Sequence, residues 1–331
     1  MIEIVSDINP KEWEMLVEAS DVSTFFQTPQ CYNFYRSLTF LTPFKFGVKE
    51  NHILVGVAVG YIISEGGKLK QFFSKRAIIP GGILLHKDVS NDAITAFFSA
   101  IKDQLKHKAI YIEIRNYNSY EIFRESIITS DFSYNEHLNF HVETLDVDSA
   151  LKQLSSTKRR DIKISIKNGA DVIQTSNIDD LKSYYNILND LYKTKVKLPL
   201  FPYEFFEKVI SIPECKLFVV KYDNKIIGGS LCMELPNKAL YEWFVCGLDK
   251  QIKNVYPSTL STWAAIEYSA KNNIKYLDMM GAGKPDDAYG VREFKAKFGG
   301  ELVEHGRFIY INSRFLYSVG KIGVNISKKI R

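Results

Sequence analysis

No apolar run in the 331-residue sequence approaches the roughly 18 residues that a membrane-spanning helix needs. Cysteine is sparse: Cys31, Cys215, Cys232 and Cys246 are scattered with no CxxC spacing, which argues against a zinc ribbon or a disulfide framework. Cys232 and Cys246 sit in strand-like runs and read as small buried hydrophobes in a reducing compartment. The opening MIEIVSDINPKEW is acidic and broken by Pro10, unlike a secretory leader, so a cytoplasmic chain is expected. Charge of one sign is in short supply: 43 Lys+Arg against 38 Asp+Glu leaves only +5. That falls short of the field of a dedicated nucleic-acid binder but suits an anionic substrate. No GxSxG occurs, and no Ser-His-Asp or Cys-His set can be assembled from spacing. His137 and His141 have the i,i+4 spacing of a zinc pair. Yet Tyr134, Glu136, Leu138, Phe140 and Val142 alternate with Asn135, His137, Asn139 and His141, a strand pattern without a third ligand nearby. Both are read as surface histidines, with no metal and no cofactor.

What is present is an ordinary globular composition, 46% hydrophobic and 24% charged, long enough for two cores. A weak internal repeat runs through it. Phe46-Gly47-Val48 leads through Glu50–Asn51 to Ile53-Leu54-Val55-Gly56-Val57, and Leu217–Val220 leads through Asp223–Asn224 to Lys225-Ile226-Ile227-Gly228-Gly229. Both read as hairpins. Each is followed by a further strand and then a helix, Ser90–Leu105 and Ser258–Lys271, whose apolar residues keep the helical period. A buried strand follows each helix, at Ala109–Ile114 and Ile274–Met279, and one more after that, at Phe132–Val142 and Glu301–Ile311. Between the copies, Ser155–Val172 reads as a basic helix closed by Asn168-Gly169. The expectation is an α/β (α+β) chain of two domains, 1–147 and 148–312, then a basic amphipathic tail, 313–331.

Four stretches carry a resemblance. They are STFFQTPQCYNFYRSL at Ser23–Leu38, the SSTKRRDIK helix, NVYPSTLSTWAAIEYSAKNNIKYLDMMGAG at Asn254–Gly283, and VREFKAKFGG at Val291–Gly300. With the repeated layout, these residues resemble the Fem family of peptidoglycan aminoacyltransferases over nearly the whole chain. The resemblance implies two tandem GNAT-like (acyl-CoA N-acyltransferase-like) domains with mixed, mostly antiparallel sheets flanked by helices. It also implies direct attack of an amine on an acyl carbonyl, with Phe294-Lys295 as the pair that stabilises the transition state. No heptad pattern long enough for the helical arm of the family's larger members is visible, and Cys31 stands where a large residue is usual.

Amide formation needs a neutral amine, access to the carbonyl carbon and stabilisation of the oxyanion. Lys295 is the leading candidate for the last task; the plainer reading is a solvent-facing partner of Glu293 or Asp287. On the first reading, Lys295→Ala lowers turnover with little change in melting temperature. Asp278, near the end of a hydrophobic strand, either orients the attacking amine or caps the following turn. Arg159 and Arg160, with Lys158, are read as phosphate grips or as a solvated helix face. Lys193, Lys195 and Lys197 fall on one side if LYKTKVKLPLF is extended, and Lys195 and Lys197 stand near where the family binds substrate phosphate. Tyr241, Glu242, Tyr256 and Arg292 complete the expected substrate contacts, the plainer reading of the two tyrosines being core residues with a wet hydroxyl. The implied partners are a small-molecule or lipid-linked anionic acceptor and an aminoacyl-tRNA or acyl-carrier donor. The tail, with Phe315, Leu316, Val319, Ile322 and Ile326 at roughly helical spacing, either contacts the inner membrane face or packs on the second domain. Two alternatives stay open. One is acyl-CoA-dependent N-acyl transfer, which the glycine-free DKQIKNVYP loop at Asp249–Pro257 disfavours. The other is a non-catalytic binding module on the same fold.

Overall fold

The structure is a computed structural model that describes residues 1–64, 74–287 and 290–320. In chain order the first elements are β1 Ile2–Val5, α1 Pro10–Ala19, α2 Pro29–Ser37, β2 Thr42–Glu50, β3 Ile53–Ile63, β4 Arg76–Gly81, β5 Leu84–Leu85, α3 Asn91–Leu105, β6 Tyr111–Asn116, α4 Glu121–Thr129 and β7 Ser133–Asn135. The second set is β8 Leu138–Glu143, α5 Val147–Gln153, α6 Ser156–Lys167, β9 Asp171–Thr175, α7 Ile178–Leu191, α8 Tyr203–Val209, β10 Cys215–Tyr222, β11 Lys225–Leu235, β12 Ala239–Gly247, α9 Pro257–Lys271, β13 Tyr276–Asp278, α10 Gly290–Ala296, β14 Glu301–Glu304 and β15 Arg307–Ile311.

Two compact units result, Met1–His137 with Glu304–Arg331, and Leu138–Val303. The first sheet runs β1-β2-β3-β4-β6-β15-β7, with β5 on β3; the second runs β14-β8-β13-β12-β11-β10-β9. Pairing is parallel at β4–β6 and β12–β13 and antiparallel along β1-β2-β3-β4 and β12-β11-β10-β9. Both expected hairpins form. Their turns carry two consecutive left-handed residues, Asn51-His52 and Asp223-Asn224, the geometry that matches the twist of paired strands. The first turn sits one residue later than the sequence suggested. Both long helices form too. α3 is capped by Ser90, whose hydroxyl accepts the Ala93 N–H, and buries Ile94, Phe97, Phe98, Ile101 and Leu105. α9 begins at Pro257, so Ser258 lies inside the helix and is not its cap.

The contact-defined units differ from the chain-order division at 147/148, and the strand pairing explains why. Phe132–Val142, expected as one strand, is two: β7 joins the first sheet and β8 the second. Glu301–Ile311 divides likewise, with β14 in the second sheet and β15 in the first. Each half of the chain therefore contributes one strand to the other half's sheet. Gly306 marks the second break with a positive φ of 61°, where a Cβ would fall 2.3 Å from the Tyr134 ring. The first unit's core packs α3 against the sheet face bearing Ala77, Ile79, Ile112, Ile114 and Phe308. The second unit's core packs α9 against Val220, Cys232, Leu240 and Leu277, closed by Phe298. In the Ser23–Leu38 stretch, Gln27 is scaffold: its amide donates to the Gly81 carbonyl at 2.9 Å and to the Tyr120 hydroxyl at 3.1 Å.

Candidate active site

The second unit brings Lys295, Asp278 and Glu242 into one buried cluster. α10 is short; Val291 at its start is exposed, while Lys295 is only 8% exposed. Its ammonium donates to the main-chain carbonyls of Met279 and of Gly281, the latter at 2.7 Å. Those carbonyls lie on the turn after β13, where Met280 and Gly281 both have positive φ. A methionine in that region is strained, and the surroundings must hold it there. Asp278 does so, its Oδ1 accepting the Met280 N–H at 2.7 Å and the Asn139 amide at 2.7 Å. His141 Nε2 lies 3.2 Å from Asp278 Oδ2, with its ring stacked on Tyr276. Asp278 is thus fully buried and engaged by three groups, which favours the turn-capping role over direct contact with an amine.

Burial pushes the Lys295 ammonium below its ordinary pKa, opposed by the nearby Glu242 and Asp278 carboxylates. Glu242 moves the opposite way: burial raises it, Lys295 opposes, and the Ser230 hydroxyl donates to it at 3.3 Å. A cation and carboxylates sharing a dry site are each other's main support. The reading of Lys295 as a solvent-facing surface charge does not survive.

Other expected contacts take different positions. Arg292 donates to the carbonyls of Ala282, Lys284 and Pro285, so it staples the loop before α10 and does not reach out for substrate. Tyr241 is fully buried beside Asp278 in register, and the Tyr256 N–H donates to Ser165 Oγ at the start of α9. Lys195 lies in a π-helical turn, Tyr192–Val196, and Lys197 follows it in the left-handed region. The three lysines therefore do not share one side of an extended strand, though all are exposed. His141 is not a surface residue, and His137 meets Arg307 at 2.9 Å in the first unit.

The basic triplet on α6 divides. Arg159 donates to the carbonyls of Lys152 and Leu154, Arg160 pairs with Asp161, and Lys158 turns inward with 5% exposure. Lys158 donates to Thr259 Oγ1 at 2.7 Å and lies 3.8 Å and 4.8 Å from the Phe294 and Phe298 ring centroids. It joins α6 and α9 to the segment bearing Lys295. The signal was available in the sequence: Ser155 caps the helix, and Lys158, Ile162 and Ser165 then share its inner face. Burial lowers the Lys158 pKa to about 8, with Asp161 and Asp249 opposing. Because the unfolded chain holds this proton up to about 10.4, folding releases it between the two values, so stability gains with pH there. The denaturant midpoint of wild type should therefore gain on that of Lys158→Met as pH rises from 8 to 10. Parallel curves would dismiss the buried charge.

Sequence reasoning missed Asp249. Its carboxylate accepts the Ser258 N–H at 3.3 Å and the Ser258 hydroxyl, closing the N-terminus of α9 with the protein's own anion.

The FemAB family model matches residues 202–322. No curated protein matches the sequence. Among solved structures, the chain is similar to FemX, at 15% identity and TM-score 0.74, covering 96% of this chain and 99% of that one. It is similar to a tandem GNAT protein from the clavulanic acid biosynthesis pathway, at 9% identity and TM-score 0.59, covering 95% and 99%. It is also similar to L-PGS from Bacillus licheniformis, at 12% identity and TM-score 0.58, covering 99% and 98%. These likenesses show the tandem GNAT-like fold. With the family match they bear out the resemblance to the Fem family and mark the chain as a transferase.

Proposed function

We propose that this Fem-like transferase forms an amide by moving an aminoacyl or acyl group onto an amine of a cell-wall precursor or a related glycan- or lipid-linked acceptor. The observation that carries the reading is the Lys295 ammonium, buried beside carboxylates and held by the turn after β13 within the FemAB-matching segment. The neutral amine attacks the carbonyl of the donor ester directly, a C–N bond forms as the acyl–oxygen bond breaks, and the proton lost by the amine ends on the departing oxygen, which leaves as a hydroxyl. Lys295 stabilises the oxyanion, a task that calls for a fixed cation in a water-poor site. Phe294 packs on Lys158 and fixes the helix, while Asp278 shapes the turn. Arg160 on α6, Lys195 and Lys197 are exposed, and the half-buried Arg159 stands beside Arg160; these cations are available to acceptor or donor phosphates. A cytoplasmic chain resting on the inner membrane face suits a lipid-linked acceptor. Among the described residues no helix is long and apolar enough to cross a membrane.

Aminoacyl-tRNA or another acyl carrier is favoured over acyl-CoA, because Asp249 already occupies the helix N-terminus where a diphosphate would bind. The test is a product assay by mass spectrometry, pairing aminoacyl-tRNA or acyl-CoA with UDP-linked and lipid-linked muropeptides. Amide formed from acyl-CoA alone would sink the donor reading; no amide with any pair would leave a binding module. Glu242→Gln removes the strongest support for the Lys295 cation, so its pKa falls further. The alkaline limb of the rate profile should then move to lower pH, and a stationary limb would show that Lys295 need not stay charged.

A further inference from the structure

We propose that the outward face of α6 docks on an anionic phospholipid bilayer. This deepens the peripheral-membrane part of the function proposed above and rests on that reading for its purpose.

The helix buries Lys158, Asp161, Ile162 and Ser165, which share one side. Arg159, Arg160, Lys163, Ile164, Ile166 and Lys167 are left on the other. Along that side runs a concavity of about 440 Å³ whose lining includes Arg159, Arg160, Lys163 and Lys167, the aliphatics Leu151 and Ile164, and no carboxylate. The helix's own acid, Asp161, is buried and paired with Arg160 at 3.2 Å. Arg159 is anchored at one edge through the carbonyls of Lys152 in α5 and Leu154 just after it, so its charge is held in place. Ile166, beside these cations, is 56% exposed.

Cations alone would serve a free phosphate or a nucleic acid, and neither gains from isoleucines left in water. A bilayer surface uses both: headgroup phosphates meet the cations, and the aliphatic side chains enter the headgroup–acyl boundary. Each cation near such a surface improves partition roughly fivefold, so the association is reversible and salt-sensitive.

The full chain is sedimented with vesicles of phosphatidylcholine alone, or of equal parts phosphatidylcholine and phosphatidylglycerol, at low and high salt. Wild type is expected to pellet with the mixed vesicles at low salt only. Lys163→Glu with Lys167→Glu, both exposed and outside the catalytic cluster, should weaken that partition by roughly 25-fold or more. Ile166→Asn should weaken it several-fold at constant charge. Circular dichroism confirms that each variant folds. Wild-type-like pelleting by the double reversal overturns the proposal. So does loss of binding on reversing Lys328 and Lys329 in the tail while the α6 reversal binds normally. Binding to RNA but not to vesicles, lost in the α6 reversal, would assign the face to nucleic acid instead. Transfer to a water-soluble acceptor is measured alongside: its absence with vesicle binding intact would refute the transferase chemistry and leave the docking face standing.

Discussion

Lys295→Met is expected to lower transfer by roughly 10²–10³-fold, the usual cost of removing one preorganised oxyanion-stabilising group. Methionine keeps most of the side-chain volume and deletes the ammonium. It leaves the Met279 and Gly281 carbonyls without their donor, and Glu242 without its nearest cation. Stability therefore falls as well, which revises the expectation from sequence that the melting temperature would hold. The loss is moderated by Glu242, whose pKa is already raised by burial and which takes up a proton once its cation is gone. The stability difference between variant and wild type should accordingly narrow toward acid pH, where Glu242 is neutral at little cost. Turnover close to wild type in a folded Lys295→Met protein would remove the residue from the chemistry.

Asp278→Ala is expected to destabilise the second unit by roughly 3–5 kcal/mol, as removing one partner from a buried charged network does. Three groups lose their acceptor at once: the Asn139 amide, the Met280 N–H and the His141 ring. The left-handed turn at Met280 and Gly281 loses its clamp, and the carbonyls holding Lys295 move with it. Asp278→Asn separates shape from charge, because its amide oxygen still accepts the Met280 N–H. It should recover a large part of the urea midpoint lost by the alanine variant. Equal losses in the two would show that the charge, and not the turn, is what Asp278 contributes.

Much of this architecture was legible in the order of residues. Alternating hydrophobics around Asn51-His52 and Asp223-Asn224 specify hairpins locally, and Ser90 with its apolar period specifies α3. The division of Phe132–Val142 between two sheets was not legible. Its alternation runs in phase from Tyr134 to Val142, and neither glycine nor proline marks the break at Glu136–His137. In the second copy a glycine, Gly306, does mark the break, and its φ of 61° shows why that residue type stands there. The lysines after α7 misled for a related reason: period-2 spacing at Lys193, Lys195 and Lys197 implies a strand, but the chain winds a helical turn there.

The site divides along the same line. The sequence by itself determined the two hairpins, α3 and the helix that Ser155 caps, because caps, turn residues and periodicity act within a few residues of each other, while Lys295 was singled out by the resemblance of Phe294-Lys295 to the Fem family. Only the tertiary structure decided which cations are buried. Lys158 and Lys295 turn inward while Arg159 and Arg160 face out, since burying a charge depends on the carboxylates, carbonyls and aromatic rings that distant segments bring to it. Asp249 at the start of α9 and the Asn139–His141 hold on Asp278 belong to that class as well. Their partners lie 9 to 139 positions away in the chain, and no local pattern announces them.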